Sequence, residues 1–117
     1  MIRKLFVISG DVNFTEQIKA MSVMLTKLNY FIDLKIINPA DNTLPDGDVF
    51  YVICDLDSGK GIDAIKEFRN ITYLKAVKII AVYSPYNADL KETTFKSGCD
   101  AVMTKEEFIS VFDSLMR

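Results

Sequence analysis

The stretch Val49-Phe50-Tyr51-Val52-Ile53-Cys54-Asp55 limits the fold more than any other part of the chain, because six uncharged residues run up to a carboxylate. A run this short, rich in Val, Ile and aromatic residues, reads as a strand buried on both faces. Such a strand needs helices above and below its sheet, which implies a parallel α/β layer structure. Asp55 then falls at the carboxyl end of the strand, where open α/β sheets gather ligands and chemistry. On position alone, a site carboxylate and a loop-capping carboxylate are equal readings of Asp55.

The remaining elements alternate around this strand. Arg3 to Ile8 reads as a first buried strand, ended by Ser9-Gly10-Asp11. Asn13 with Glu16 has the spacing of a capping box, and Phe14, Ile18, Met21, Leu25 and Leu28 recur at helical spacing to about Asn29. Phe31 to Ile37 alternates, with Ile32, Leu34 and Ile36 on one face and Asp33 and Lys35 on the other, as in an edge or half-exposed strand. Residues 38–48 hold two prolines, a glycine and several Asn and Asp, which leave room for at most one helical turn around Ala40 to Leu44. A parallel crossover is normally longer.

After the third strand, Val49 to Cys54, a loop leads to a helix marked by Ile62, Ile65 and Phe68 that ends near residues 70–73. Val77 to Val82 is a fourth strand. Asn87 caps a helix carrying Leu90, Thr94 and Phe95, which Gly98 closes. Ala101 to Met103 is a short fifth strand. Thr104 and Glu107 form a capping box for a last helix whose inward stripe is Phe108, Val111, Phe112 and Leu115. The order predicts a doubly wound, five-stranded parallel sheet with helices on both faces, in a single domain over residues 1–117.

Composition narrows the function classes. The net charge of −2, without a basic block, gives no support for direct nucleic-acid binding. No apolar run is long enough to span a bilayer, and the N-terminus lacks the pattern of a signal peptide. A cytoplasmic location is expected, with Cys54 and Cys99 as reduced core residues rather than a disulfide. The absence of histidine excludes a His-based triad, a His-ligated zinc and a phosphohistidine within this sequence. The loop Asp55 to Gly61 lacks the spacing of a nucleotide-binding P-loop. Ser9 to Thr15 offers too little glycine or hydroxyl to cradle a flavin phosphate.

The element order, the length and the spacing of Asp55, Gly98 and Lys105 resemble a response-regulator receiver domain, over nearly the whole chain. The resemblance implies a flavodoxin-like (CheY-like) sheet of order 2-1-3-4-5, here with a shortened or missing second helix. It implies a role in two-component (phosphorelay) signal transduction, with Asp55 as phospho-acceptor from a histidine kinase or phosphotransfer protein. Beyond its own phosphorylation and dephosphorylation, such a domain is not an enzyme. Lys105, just after strand five, matches the family's active-site lysine. The phosphate-binding hydroxyl position falls on Tyr83, and Ser84 serves after a shift of one residue.

The family also holds Mg²⁺ through two acids after strand one, where this chain has Ser9 and Gly10. Asp11 and Asp57 are the remaining candidate metal carboxylates, so the expected Mg²⁺ site is weak or absent, since affinity follows ligand charge count. Each of these two acids also reads as a solvated loop charge. Lys105 likewise has two readings, because Thr104 as a cap would place it in the first turn of the last helix, a solvated position with doubtful reach to Asp55. Two functional readings follow. One is a working phospho-acceptor. The other is a phosphorylation-independent pseudo-receiver that acts as a protein–protein interaction module. In either case the surface of helix 4, strand 5 and helix 5, in the family's count, is the one implied for a homodimer or an effector. No effector segment follows Arg117 in this sequence, so output is expected to pass through another protein or another chain.

Overall fold

A computed structural model describes residues 2–58, 61–85 and 87–117. Its elements are β1 (Ile2–Ile8), α1 (Val12–Lys27), β2 (Phe31–Ile37), β3 (Tyr51–Asp55), α2 (Gly61–Arg69), β4 (Ile79–Tyr83), α3 (Ala88–Lys96), β5 (Ala101–Thr104) and α4 (Lys105–Met116), with a 3-10 turn at Thr72–Leu74. The five strands are parallel in the order β2-β1-β3-β4-β5. The parallel sheet is the one expected from the alternation of strands and helices, and its order is the one that the resemblance implies.

Strand alternation splits the core into two layers. On one face α1 and α4 bury Leu5, Val7, Ile53, Ile80 and Val82, with Phe14, Phe108 and Phe112 packed ring against ring at 5.7–5.8 Å. On the other, α2, the 3-10 turn and α3 cover Phe6, Val52, Cys54, Ile79, Ala81, Tyr83 and Val102. Every residue of β4 is buried, as its unbroken apolar run requires. Cys54 and Cys99 are buried free thiols, and burial pushes Cys54 up to about 12 and Cys99 up to about 11 in pKa. Among the described residues, no helix is long and apolar enough to cross a membrane.

Several local expectations shift. The cap of α1 is Asp11, whose carboxylate accepts from the Phe14 amide at 3.1 Å, and Asn13 lies inside the helix. The helix stops at Lys27, where Asn29 turns left-handed (φ +69°), and Leu28 is left exposed. Thr104 and Glu107 do form the reciprocal capping box, and Asn87 caps α3. β3 and β4 each begin two residues later than their apolar runs, although the Phe50 amide already bonds the Lys4 carbonyl at 2.7 Å.

The crossover from β2 to β3 contains no helix. The Asn38 side chain and carbonyl take the Ala40 and Asp41 amides, closing a local turn in place of a helical one. On the side away from α1, β2 turns Phe31, Asp33 and Lys35 outward and exposed. At the amino ends of β4 and β5, the Arg69 guanidinium ties the chain together. It donates to the carbonyls of Gly98, Leu74, Lys75 and Val77 and pairs with Asp100 at 2.9 Å.

Candidate functional site

β3 delivers Asp55 to the carboxyl edge of the sheet between β1 and β4. Its side chain has no exposed surface. A carboxylate so placed is costly unless donors replace water, and the neighbouring elements supply them. The Ser9 hydroxyl, just past β1, donates to Oδ2 at 2.6 Å, and the Ser58 hydroxyl donates to the same oxygen at 3.0 Å. The Asp57 amide donates to Oδ1 at 2.9 Å. The two serines are themselves held, since Ser9 Oγ accepts from the Asp11 amide and Ser58 Oγ from the Gly10 amide, both at 3.1 Å.

Lys105 completes the cluster. It is the first residue of α4, where a cation opposes the helix dipole, yet its chain reaches back into the mouth of the pocket. Its ammonium lies 3.0 Å from Asp11, 3.0 Å from Asp57 and 3.1 Å from Asp55. The Phe14 ring, 5.6 Å away, supports it from the α1 side. Burial alone would lower the lysine's pKa. The hydrogen bonds to Asp57, Asp11 and Asp55 and the charge of Asp55 outweigh that and hold it above the ordinary lysine range. The Asp11 carboxyl is held below the usual carboxylate range, first by the Phe14 amide and then by Lys105.

Asp55, Asp11, Asp57 and Lys105, all singled out in the sequence, therefore meet at one point. The reading of Lys105 as a solvated helix-start lysine is corrected, since its side chain is mostly buried and bonded to Asp55. Asp11 and Asp57 are likewise partners of Lys105 rather than loop charges without partners. Ser84 borders the shallow depression above the lysine, which Gly10, Asp11, Asn38, Asp57 and Ser58 also line. Tyr83 is not there. Strand alternation sends its ring into the layer of Cys54 and Ala81, on the α2–α3 face. Ser9 and Ser58 carry roles that the sequence did not single out, and the only available signal was their position beside strand ends that point at Asp55.

The donor set bears on a divalent cation. Each of Asp11, Asp55 and Asp57 gives an oxygen to the same ammonium, and Asp11 gives its other oxygen to the α1 cap. Among the described residues, no three His, Cys, Asp or Glu side chains are grouped so as to hold a metal ion.

No protein-family model and no curated protein matches the sequence. Solved structures match it closely in shape. A response regulator from Hahella chejuensis is 11% identical with a TM-score of 0.76, over 97% of this chain and 92% of that one. The receiver domain of a Francisella response regulator is 19% identical with a TM-score of 0.72, over 97% and 96%. This is the receiver fold. A phosphorylated cyanobacterial phytochrome response regulator shares it at 14% identity and a TM-score of 0.70, over 99% of this chain and 90% of that one. Within the receiver fold, the cluster around Asp55 occupies the carboxyl edge of the central strands, where such sheets place their chemistry.

Proposed function

We propose that this chain is a receiver-type module of two-component signal transduction that works by binding a partner protein, with its Asp55 pocket neutralised by Lys105 and independent of phosphorylation. One observation carries the reading, the single ammonium bonded to Asp11, Asp55 and Asp57 together. A phosphoryl group on Asp55 would add anionic charge to three carboxylates that share one cation. At about 4 Å and an effective dielectric near 20, each added like-charge contact costs roughly 4 kcal/mol. Mg²⁺ would have to compete with the lysine for these carboxylates to relieve that repulsion. The lysine instead keeps the pocket in one arrangement. Output then runs through a surface such as α3, β5 and α4, where Phe95 and Val111 stand exposed.

The phospho-acceptor reading keeps one observation in its favour. The depression over Lys105 is open, and the hydroxyl residues Ser58 and Ser84 border it where a phosphoryl group from a histidine kinase or phosphotransfer protein would lie. Intact-mass measurement after incubation with acetyl phosphate and Mg²⁺ separates the two. No mass gain, with a melting temperature unchanged by Mg²⁺ and beryllofluoride, is expected. A phosphate mapped to Asp55, or strong Mg²⁺-dependent stabilisation, would overturn the proposal in favour of the phospho-acceptor.

A further inference from the structure

Among the described residues, none pairs with the outer edge of β2. In the parallel ladder, alternate residues of a strand turn their N–H and C=O groups toward the same side. The Ile37 carbonyl accepts from the Ser9 amide, so Phe31, Asp33, Lys35 and Ile37 face β1. Ile32, Leu34 and Ile36 therefore present their amides and carbonyls outward. The Ile32 amide meets the Thr26 hydroxyl only at 3.4 Å. The edge is seven residues long and contains no proline. No helix follows β2 to cover it, and an edge of this kind is a template for another strand.

The side chains select which strand. We infer that β2 pairs antiparallel with β2 of a second copy of this chain, about a two-fold axis at Leu34, joining two sheets into one. In that register Leu34 faces its own counterpart and Ile32 faces Ile36. Those are the residues with outward backbone groups, so they fall at the hydrogen-bonded positions. Asp33 then faces Lys35 of the other copy, twice by symmetry. These are the non-hydrogen-bonded positions, where opposed side chains approach most closely.

The charges fit this occupant and disfavour the alternatives. Among the described residues, neither Asp33 nor Lys35 has a partner at ion-pair distance in its own chain; Lys4 lies beside Asp33 in the β1–β2 register and feels its charge, but is bonded to Asp48. An in-register parallel pairing would set Asp33 against Asp33, and a slip of one residue would turn the charges against the apolar row. On the other face, Ile32, Leu34 and Ile36 are only partly covered by the α1–α4 layer, and the second copy would extend that layer. An interface that is the same patch on both copies is the usual form of a two-fold dimer. A single strand pairing is small beside the roughly 1,600 Å² of a standard interface, so association is expected to be reversible and concentration-dependent.

Sedimentation velocity of the full chain over a concentration series tests this, independently of how the Asp55 pocket works. The parent chain is expected to dimerise. Asp33→Lys and Lys35→Asp, at exposed positions, should each weaken self-association about tenfold by replacing two attractions with two repulsions. An equimolar mixture of these two variants should form heterodimers close to the parent's affinity, because every opposed pair is again of opposite sign. The double variant Asp33→Lys/Lys35→Asp should recover self-association for the same reason. Circular dichroism confirms that each variant is folded. A parent chain that stays monomeric to roughly millimolar concentration, a dimer indifferent to both reversals, or a mixture that does not associate overturns the proposal.

Discussion

Two ionic clusters brace opposite ends of the sheet, and they are built in opposite senses. At the carboxyl end the buried group is an anion, Asp55, and its partners are side chains and an amide: Ser9, Ser58, Lys105 and the Asp57 N–H. At the amino end the central group is a cation, Arg69, and its partners are mainly backbone carbonyls, with Asp100 at the rim. The Arg69 cluster fixes where loops enter β4 and β5. The Asp55 cluster gathers side chains from the β1–α1 loop, the β3–α2 loop and α4 around one carboxylate beneath an open depression. The lesson is that buried charge alone does not mark a site. Partners of the opposite kind, converging from distant segments on a group near solvent, are the better sign.

Removing the cation from the carboxyl-end cluster should have the largest effect. Lys105→Ala strands Asp55 with no counter-charge, and breaking a buried pair in this way typically costs about 3–5 kcal/mol. Urea denaturation should show it, and adding Asp55→Asn to that variant should recover part of the loss by neutralising the stranded carboxylate. A second substitution that cost as much again would mean that Asp55 is stabilised mainly by its serines. Arg69→Met ranks next. It leaves neutral carbonyls rather than a charge without partners, so a loss of about 2–4 kcal/mol is expected. If Arg69→Met proved the costlier of the two, the proposed contrast between the ends would be reversed.

Ser9→Ala makes the comparison finer. The hydroxyl donates to Asp55 at 2.6 Å and accepts from the Asp11 amide at 3.1 Å, all within a buried position. Its loss should cost about 1–3 kcal/mol, since the bond is to a charged acceptor. Ser58→Ala, at a more exposed residue, should cost less. Equal losses in thermal denaturation would show that the two hydroxyls are equivalent, against the difference in their burial.

The fold was legible because its signals are local. Unbroken apolar runs mark β3 and β4, alternation marks β2 as an edge, and Asn87, Gly98 and the Thr104–Glu107 box punctuate the later helices. The cap of α1 was misplaced because Asn13 and Glu16 imitate a capping box two residues after the carboxylate that caps the helix. Within the site, Asp55 was legible from strand geometry. Whether Lys105 reached it depended on the angle at which β5 turns into α4, which spacing does not encode. Ser9 and Ser58 were hidden because hydroxyls are common in loops and nothing local distinguishes a donor to a distant carboxylate. Arg69 gave no signal at all, since most of its partners are carbonyls and every residue carries one.

Acid should separate the two clusters by a smaller and more selective effect. The Asp11 carboxyl is held below its ordinary value of 3.8 by the Phe14 amide and Lys105. Its contribution is therefore fully present above pH 3.8, the unfolded value, and is lost as pH falls through the lower folded value. Lys105 has the opposite sign. Its pKa is raised above 10.5, so its contribution is complete below that value and is lost only as pH rises through the higher folded one. Between those limits the contributions of Asp11 and Lys105 are both present, and acid removes that of Asp11. Four of the five partners that Arg69 holds are carbonyls, which do not titrate, and Asp100 is the one carboxylate among them. As pH falls below 3.8, amide exchange, corrected for its intrinsic pH dependence, should rise at Asp11 and Phe14 while the amides at Gly98 and Asp100 stay protected. Asp11→Ala, which removes the cap acceptor, should already show the faster exchange at neutral pH and respond less to acid. Simultaneous loss of protection at both ends would mean that the sheet opens as one unit and that the two clusters are energetically coupled across it.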